Sequence, residues 1–264
     1  MMLLLVLSLV LILLVLVSLI DGNDLSSQFT IEGRIHQIEY ATKATMKGSS
    51  IIAAHNKNIS ILISYKGDIK SNILSLSSSS LSSIRMISNT IGYSAIGISS
   101  DINYLSNKLH DNVLNHITIF DSLPPVIRIT NNLASYIHSR TITSKYRPFG
   151  IRLCIIGYDI IKGAIVIDID ALGNIHHNKL CCLGPRANSI NSLWDREIDP
   201  LSLSSSELIQ KLINTLKECL KKDNITLNTN DISIALVGQS KSFTILNNNE
   251  IEEILNNNNF SLIC

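Results

Sequence analysis

At 264 residues the chain has enough length for one large domain or two small ones, and for a substantial core without disulfides or metals. A formal charge of +1 with 16% charged residues gives no basic field for nucleic acid and no like-charged tail, which excludes a charge-driven partner. The five cysteines, Cys154, Cys181, Cys182, Cys219 and Cys264, are odd in number and contain no CxxC spacing, so they read as reduced, mostly buried thiols of a cytosolic protein.

Residues 1–28 form an apolar leader. Leu3 to Ile20 is interrupted only by Ser8 and Ser18, and it has the roughly 18 apolar residues that a bilayer crossing needs. No Lys or Arg precedes it, and the first positive side chain is Arg34, so neither a signal peptide's basic region nor an anchor's positive flank is present. Signal, anchor and a wrongly joined gene start all stay open for this segment, and a membrane or secretory route follows only if the leader is genuine.

Ile35, Ile38, Thr42 and Thr45 lie at helical spacing, which predicts a helix over 30–46 with Thr30 as N-cap, Glu32 in its first turn and Gly48 ending it. Two β-rich runs follow, SSIIAA and NISILISY, split by His55-Asn56-Lys57 as in a hairpin. The serine-rich tract Ser75 to Ser83 reads as a surface loop, and IGYSAIGI as the next strand. Helices then carry Ile102, Leu105, Leu109 and Val113, and, after Pro124-Pro125, Val126, Ile129, Leu133 and Ile137. Three strand runs, IRLCIIGYD, AIVIDID and IHHNKLCCL, precede two more helices. The second opens with Ser204 and Glu207 in capping-box spacing and shows Leu208, Leu212, Leu216 and Leu220 as its stripe. ISIALVG and SFTIL form a closing hairpin, a short acidic helix spans Ile251 to Leu255, and 256–264 is expected to be a disordered tail. This block order is not alternating βαβ; it predicts layered α+β with antiparallel sheets.

Candidate chemistry is sparse. Gly238-Gln239-Ser240-Lys241-Ser242 lies between strands and reads as a turn, not a phosphate loop. His176 and His177 would point to opposite faces of a strand, so no metal site is expected, and no cofactor. Gly48-Ser49 precedes a strand, and cleavage there would free a serine whose own amine serves as base, the arrangement of an N-terminal nucleophile hydrolase.

Phe29-Thr30-Ile31-Glu32-Gly33-Arg34-Ile35-His36-Gln37-Ile38-Glu39-Tyr40-Ala41 resembles the opening motif F-S-P-E-G-R-L-x-Q-V-E-Y-A of the proteasome core particle alpha subunits. Arg147-Pro148-Phe149-Gly150 and the strand ending Gly157-Tyr158-Asp159 are similar to a second family motif. The resemblance covers 29–255, and within the family it is strongest to the alpha type-1, or alpha-6, branch.

The resemblance implies a four-layer αββα sandwich, two antiparallel sheets between helical layers, of the N-terminal nucleophile hydrolase kind. It implies a non-catalytic ring subunit in the cytoplasm and nucleus. Its partners would be the other alpha subunits of a seven-membered ring, the beta-ring subunits and the regulatory-particle ATPases. Gly33, Arg34, Gln37, Glu39 and Tyr40, with Arg147, Pro148, Phe149 and Gly150, are the expected subunit interface; Tyr40 and Ile38 as plain core is the competing expectation. Thr42, Gly48 and Ser83 are the expected activator pocket.

Counting from Ser49, Tyr65 stands where catalytic beta relatives carry aspartate, and Ser83 on or near their lysine. Ile31 replaces a family proline, and Gly22-Asn23-Asp24 stands where a Tyr-Asp-Arg-like gate segment is expected. Ser83 also replaces a pocket lysine, so docking of activator tails is expected to be weak here. The alternatives carried forward are an active hydrolase using Ser49 and a membrane-associated relative.

Overall fold

A computed structural model describes residues 29–46, 48–67, 83–143, 145–194 and 198–257. The leader, most of the serine-rich tract and 258–264 lie outside the described residues.

Two five-stranded sheets form the centre. The first contains β1 (Ser50–His55), β2 (Ile59–Tyr65), β8 (Leu180–Leu183), β9 (Ile232–Gly238) and β10 (Thr244–Ile245), in the order β10-β9-β2-β1-β8. The second contains β3 (Ile84–Ser88), β4 (Ile91–Gly97), β5 (Ile151–Asp159), β6 (Gly163–Ile169) and β7 (Ile175–His177), in chain order. All the pairings are antiparallel, with β1 and β2 in register from Ser50↔Tyr65 to His55↔Ser60.

Strand alternation sorts the apolar side chains onto two faces of each sheet. Ile52, Ile61 and Ile63 point to a helical layer of α4 (Ala187–Leu193), α5 (Ser205–Lys222) and α6 (Asn248–Asn257), while Ile51, Ala53 and Leu62 face the other sheet. On the far side, Tyr93, Leu153 and Ile155 pack under α2 (Ser99–Phe120) and α3 (Val126–Ile142). Three apolar clusters between four layers make the predicted αββα sandwich. The α5 stripe of Leu208, Leu212, Leu216 and Leu220 is buried as expected, and Ser204 with Glu207 forms the reciprocal capping box.

The inter-sheet layer contains a polar bridge. The Ser60 hydroxyl of the first sheet lies 3.1 Å from the carbonyl oxygens of both Gly157 and Ile165 in the second.

Several details differ from the expectations. Helix α1 spans His36–Thr45 and begins at Ile35 without a side-chain cap, so Thr30 is not its N-cap and Glu39, not Glu32, occupies the first turn. Residues 30–34 close a separate turn, because Gly33 takes φ +73° and the Thr30 amide bonds the Arg34 carbonyl at 2.8 Å. IHHNKLCCL is two strands in different sheets, with the crossing at Asn178-Lys179. β3 was not expected as a strand. The closing helix runs to Asn257, two residues into the stretch expected as tail.

Candidate functional site

The motif residues gather at one end of the sandwich, where α1 lies over β4 and β5. Gly150 sits against α1, its α-carbon so near that an added Cβ would be 3.3 Å from the Ala44 methyl. Gly97 has φ +122°, and a Cβ there would stand 2.0 Å from the Gly150 carbonyl oxygen. Only glycine allows that approach.

The segment Arg147–Gly150 is held by Asp101, in the first turn of α2. Both Arg147 terminal nitrogens donate to its two carboxylate oxygens at 2.7 Å, and the Gly150 amide donates at 3.1 Å. The helix N-terminus adds favourable potential at that carboxylate. Burial pushes the Asp101 carboxyl up, but the bonds from Arg147 and Gly150 outweigh it and hold the group below its ordinary value. The same bond raises Arg147.

Pro148, Phe149 and Gly150 are buried within the chain, so of these four motif residues only Arg147 is exposed. Phe149 anchors the segment between Tyr104 and Tyr136, with ring centroids 6.0 Å from each. Tyr104 and Tyr136 share a hydroxyl hydrogen bond of 2.7 Å, and the Arg140 guanidinium lies 3.9 Å from the Tyr146 ring centre.

On α1, Ala41 and Thr45 are buried, Ile38 is half-buried, and Gln37 and Tyr40 are exposed. Tyr40 is 56% accessible, which removes it from the core of this chain. Its ring stacks on His36 at 6.1 Å. Arg34 grips Glu39 through two hydrogen bonds, the one from Nη2 at 2.7 Å and a shorter one from Nε, and the bond from Arg34 lowers the Glu39 carboxyl below its ordinary value. Phe29, Ile31 and Met46 are also exposed beside this helix, giving an unusually apolar rim.

The expected pocket residues are distributed. Thr42 is exposed with its hydroxyl donated to the Ile38 carbonyl at 3.0 Å. Gly48 packs loosely toward Ile96, and Ser83, at the start of β3, bonds the Ser64 hydroxyl at 2.6 Å.

Ser49 is 95% enclosed, and among the described residues no hydrogen bond joins it to a carboxylate, amine or imidazole. Tyr65, at the aspartate position of catalytic relatives, packs in the helix-facing core. Among the described residues there is no cluster of potential metal ligands, and no helix is long and apolar enough to cross a membrane. His176 and His177 lie on β7, with the His176 ring 3.8 Å from Asp170. The four described cysteines are buried and free of disulfides.

Sequence reading missed Asp101, Gly97, Tyr104, Tyr136 and Arg140. An Asp three residues into a helix and a Gly before it were visible signals, but nothing local paired Asp101 with Arg147, 46 residues on.

The proteasome subunit family profile matches residues 45–235. The chain belongs to this family. Among similar proteins, the "probable proteasome subunit alpha type-6" of Schizosaccharomyces pombe is 29% identical over 89% of this chain and 84% of its own. The "proteasome subunit alpha type-1" of Dictyostelium discoideum is 28% identical over 86% of this chain and 90% of its own, and that of Drosophila melanogaster 27% over 86% and 82%. These proteasome relatives extend the motif resemblance across the sandwich.

Proposed function

We infer that the chain is a non-catalytic alpha-ring subunit of the 20S proteasome core particle. It supports ring assembly and the controlled admission of unfolded protein during ubiquitin-dependent degradation. Its neighbours are six other alpha subunits and the beta ring, with regulatory-particle ATPases docking on the ring's outer face, in cytoplasm and nucleus.

The observation that carries this reading is the match to the family over most of the chain, which α1, seated on Gly150 ahead of β1, supports. As long as α1 stays attached, the Ser49 nitrogen stays in a peptide bond and has no free amine to act as base. The hydroxyl also lacks the aspartate and lysine that proton transfer would use, since Tyr65 and Ser83 occupy those positions. What remains is a shaped wall. Gly33, Arg34, Gln37, Glu39 and Tyr40 supply its contact surface, and Arg147 to Gly150 set the height of the helix above the sheets.

Thr42, Gly48 and Ser83 border the activator pocket in this reading. Without a cation at Ser83, an activator's C-terminal carboxylate has no ion pair there, and docking at this subunit is weak.

The test is isolation of the tagged full chain from its native cells, followed by native mass measurement and peptide identification. A particle of fixed stoichiometry containing alpha-type and beta-type subunits is the expected result. A monomer, or a chain cleaved after Gly48 that hydrolyses peptides, would overturn the assignment.

A further inference from the structure

Two tyrosines from different helices meet on the outer side of the α2 and α3 pair. Tyr104, on α2, and Tyr136, 32 residues on in α3, share a hydroxyl–hydroxyl hydrogen bond of 2.7 Å. Their rings are 25° from parallel with centres 6.3 Å apart, and the buried Phe149 ring, 6.0 Å from each, braces both. Neither phenol is sealed from solvent, since Tyr104 is 49% exposed and Tyr136 is half-buried.

Arg140 makes the two phenols unequal. One turn along α3, its Nη2 donates to the Tyr136 oxygen at 2.9 Å, so that oxygen accepts from Arg140 on one side and from the Tyr104 hydroxyl on the other. Burial pushes the Tyr136 phenol up, but the bonds from Tyr104 and Arg140 outweigh it and hold the group below its ordinary value; the bond to Tyr136 raises Tyr104. A phenol gives up an electron more readily as it gives up its proton, so Tyr136 is the easier of the two to oxidise. All seven tyrosines of the chain lie among the described residues, and the others are placed differently. Tyr65 and Tyr93 are enclosed in separate apolar clusters, Tyr40 stacks on His36, and Arg140 covers the Tyr146 ring at 3.9 Å.

We propose that Tyr104 and Tyr136 form an oxidative modification site, joined as a dityrosine when the chain meets a one-electron oxidant of the haem-peroxidase class. Each phenol loses one electron and its hydroxyl proton, which leaves two phenoxyl radicals with spin on the carbons ortho to oxygen. The ortho carbons neighbour the carbon that bears the hydroxyl, so the hydroxyl contact also brings the ortho edges of the two rings together. One carbon–carbon bond forms between an ortho carbon of each ring, and the two displaced ortho hydrogens return to the oxygens by way of water as aromaticity is restored. The two electrons and two protons released overall reduce one hydrogen peroxide to two waters. The product ties α2 to α3 over the Phe149 ring that anchors the Arg147–Gly150 segment beneath α1. The site stands on this side-chain geometry and does not depend on ring membership.

Purified full-length chain, kept dilute so that collisions between chains are rare, is treated with a haem peroxidase and limiting hydrogen peroxide. Digestion and mass spectrometry then identify the joined peptides, and dityrosine fluorescence follows the rate. The expected product is a peptide pair joined through Tyr104 and Tyr136, lighter by two hydrogens than its parts, resistant to reductant and at least tenfold more abundant than any other tyrosine pair. Tyr104→Phe and Tyr136→Phe should each abolish it, Arg140→Gln should slow its formation several-fold, and Tyr40→Phe should leave it unchanged. An unchanged thermal midpoint verifies that each variant is folded, and the peptide map of the parent chain identifies the joined residues without any variant. No internal cross-link, links between chains through Tyr40 or Tyr146 in its place, or a product that survives Tyr104→Phe would overturn the site. A rate indifferent to Arg140→Gln would overturn the part given to Arg140. Each of these results leaves the isolated particle of the ring test unaffected, so the two readings fail separately.

Discussion

Asp101 and Arg147 form a two-pronged ion pair in which both contacts measure 2.7 Å, and the same carboxylate accepts the Gly150 amide. A residue of α2 thereby fixes the loop on which α1 rests. Asp101→Asn removes the charge, weakens both Arg147 bonds and leaves a buried polar group poorly matched. The expected loss is about 1–3 kcal/mol, discounted for the exposure of Arg147, or about 2–10 °C in the unfolding midpoint.

The sign of its pH dependence follows from the depressed carboxyl. The folded value lies below the unfolded one, near ~3.9. Asp101 therefore contributes its full stabilisation above the unfolded value and loses it as the pH falls through the folded value. The gap in denaturation midpoint between the parent chain and Asp101→Asn should be constant around neutrality and close progressively below about pH 4. A gap that widens in acid would show that Arg147 is not the partner that matters.

Gly97→Ala tests the close approach of β4 to the loop. The variant must place a Cβ 2.0 Å from the Gly150 oxygen at φ +122°. Strain of this backbone kind costs about 1–3 kcal/mol before the clash is counted. Gly48→Ala is the matched control, because its Cβ meets nothing nearer than Ile96 at 3.6 Å. Circular dichroism melts should show a large drop for the first and little change for the second.

Ser60→Ala probes the bridge between the sheets. It removes the donor that lies 3.1 Å from the carbonyls of Gly157 and Ile165, and no water-accessible group replaces it. A cost of about 1–3 kcal/mol is expected in equilibrium denaturation. Ser60→Thr, which keeps the hydroxyl but adds a methyl to a filled layer, should also destabilise the chain.

The apolar stripes of α2, α3 and α5 were readable because each repeats at helical spacing, and their faces are buried where the pattern placed them. The β3 strand, IRMIS, was not: it is five residues long, turns Arg85 and Met86 toward solvent, and follows a serine-rich tract, so no alternation stands out. Period two also cannot say which sheet a strand joins, and IHHNKLCCL changes sheets midway, where the Asn178 amide still bonds Val166 and the Lys179 carbonyl already accepts from His55. Thr30 carries a cap-like bond, from the Arg34 amide at 3.1 Å, but Gly33 turns the chain before the helix begins. Motif residues pointed to α1 and to the Arg147–Gly150 segment beneath it, whereas the Asp101 contact that holds that segment joins positions too distant in the chain for any local pattern.

Ser49→Ala separates a wall subunit from a hydrolase. The serine is buried ahead of β1, and its hydroxyl has no basic partner among the described residues. Peptide hydrolysis by the isolated particle should be the same with either residue, to within the scatter of repeated assays, and mass spectrometry should find the peptide bond after Gly48 intact in both.

Arg34→Ala and Glu39→Ala distinguish contact from stability. Arg34, in the turn before α1, and Glu39, in its first turn, meet at the surface, where an ion pair adds little to folding because water and salt screen it. The thermal midpoint of the free chain should therefore barely move. The Arg34 grip does, however, fix the turn at Gly33 against the first turn of α1, and with it the position of exposed Ile31 and Tyr40. When parent and variant chains are co-expressed with different tags, the variants should be under-represented several-fold in the assembled particle. Equal incorporation would place the ring contact elsewhere on the chain.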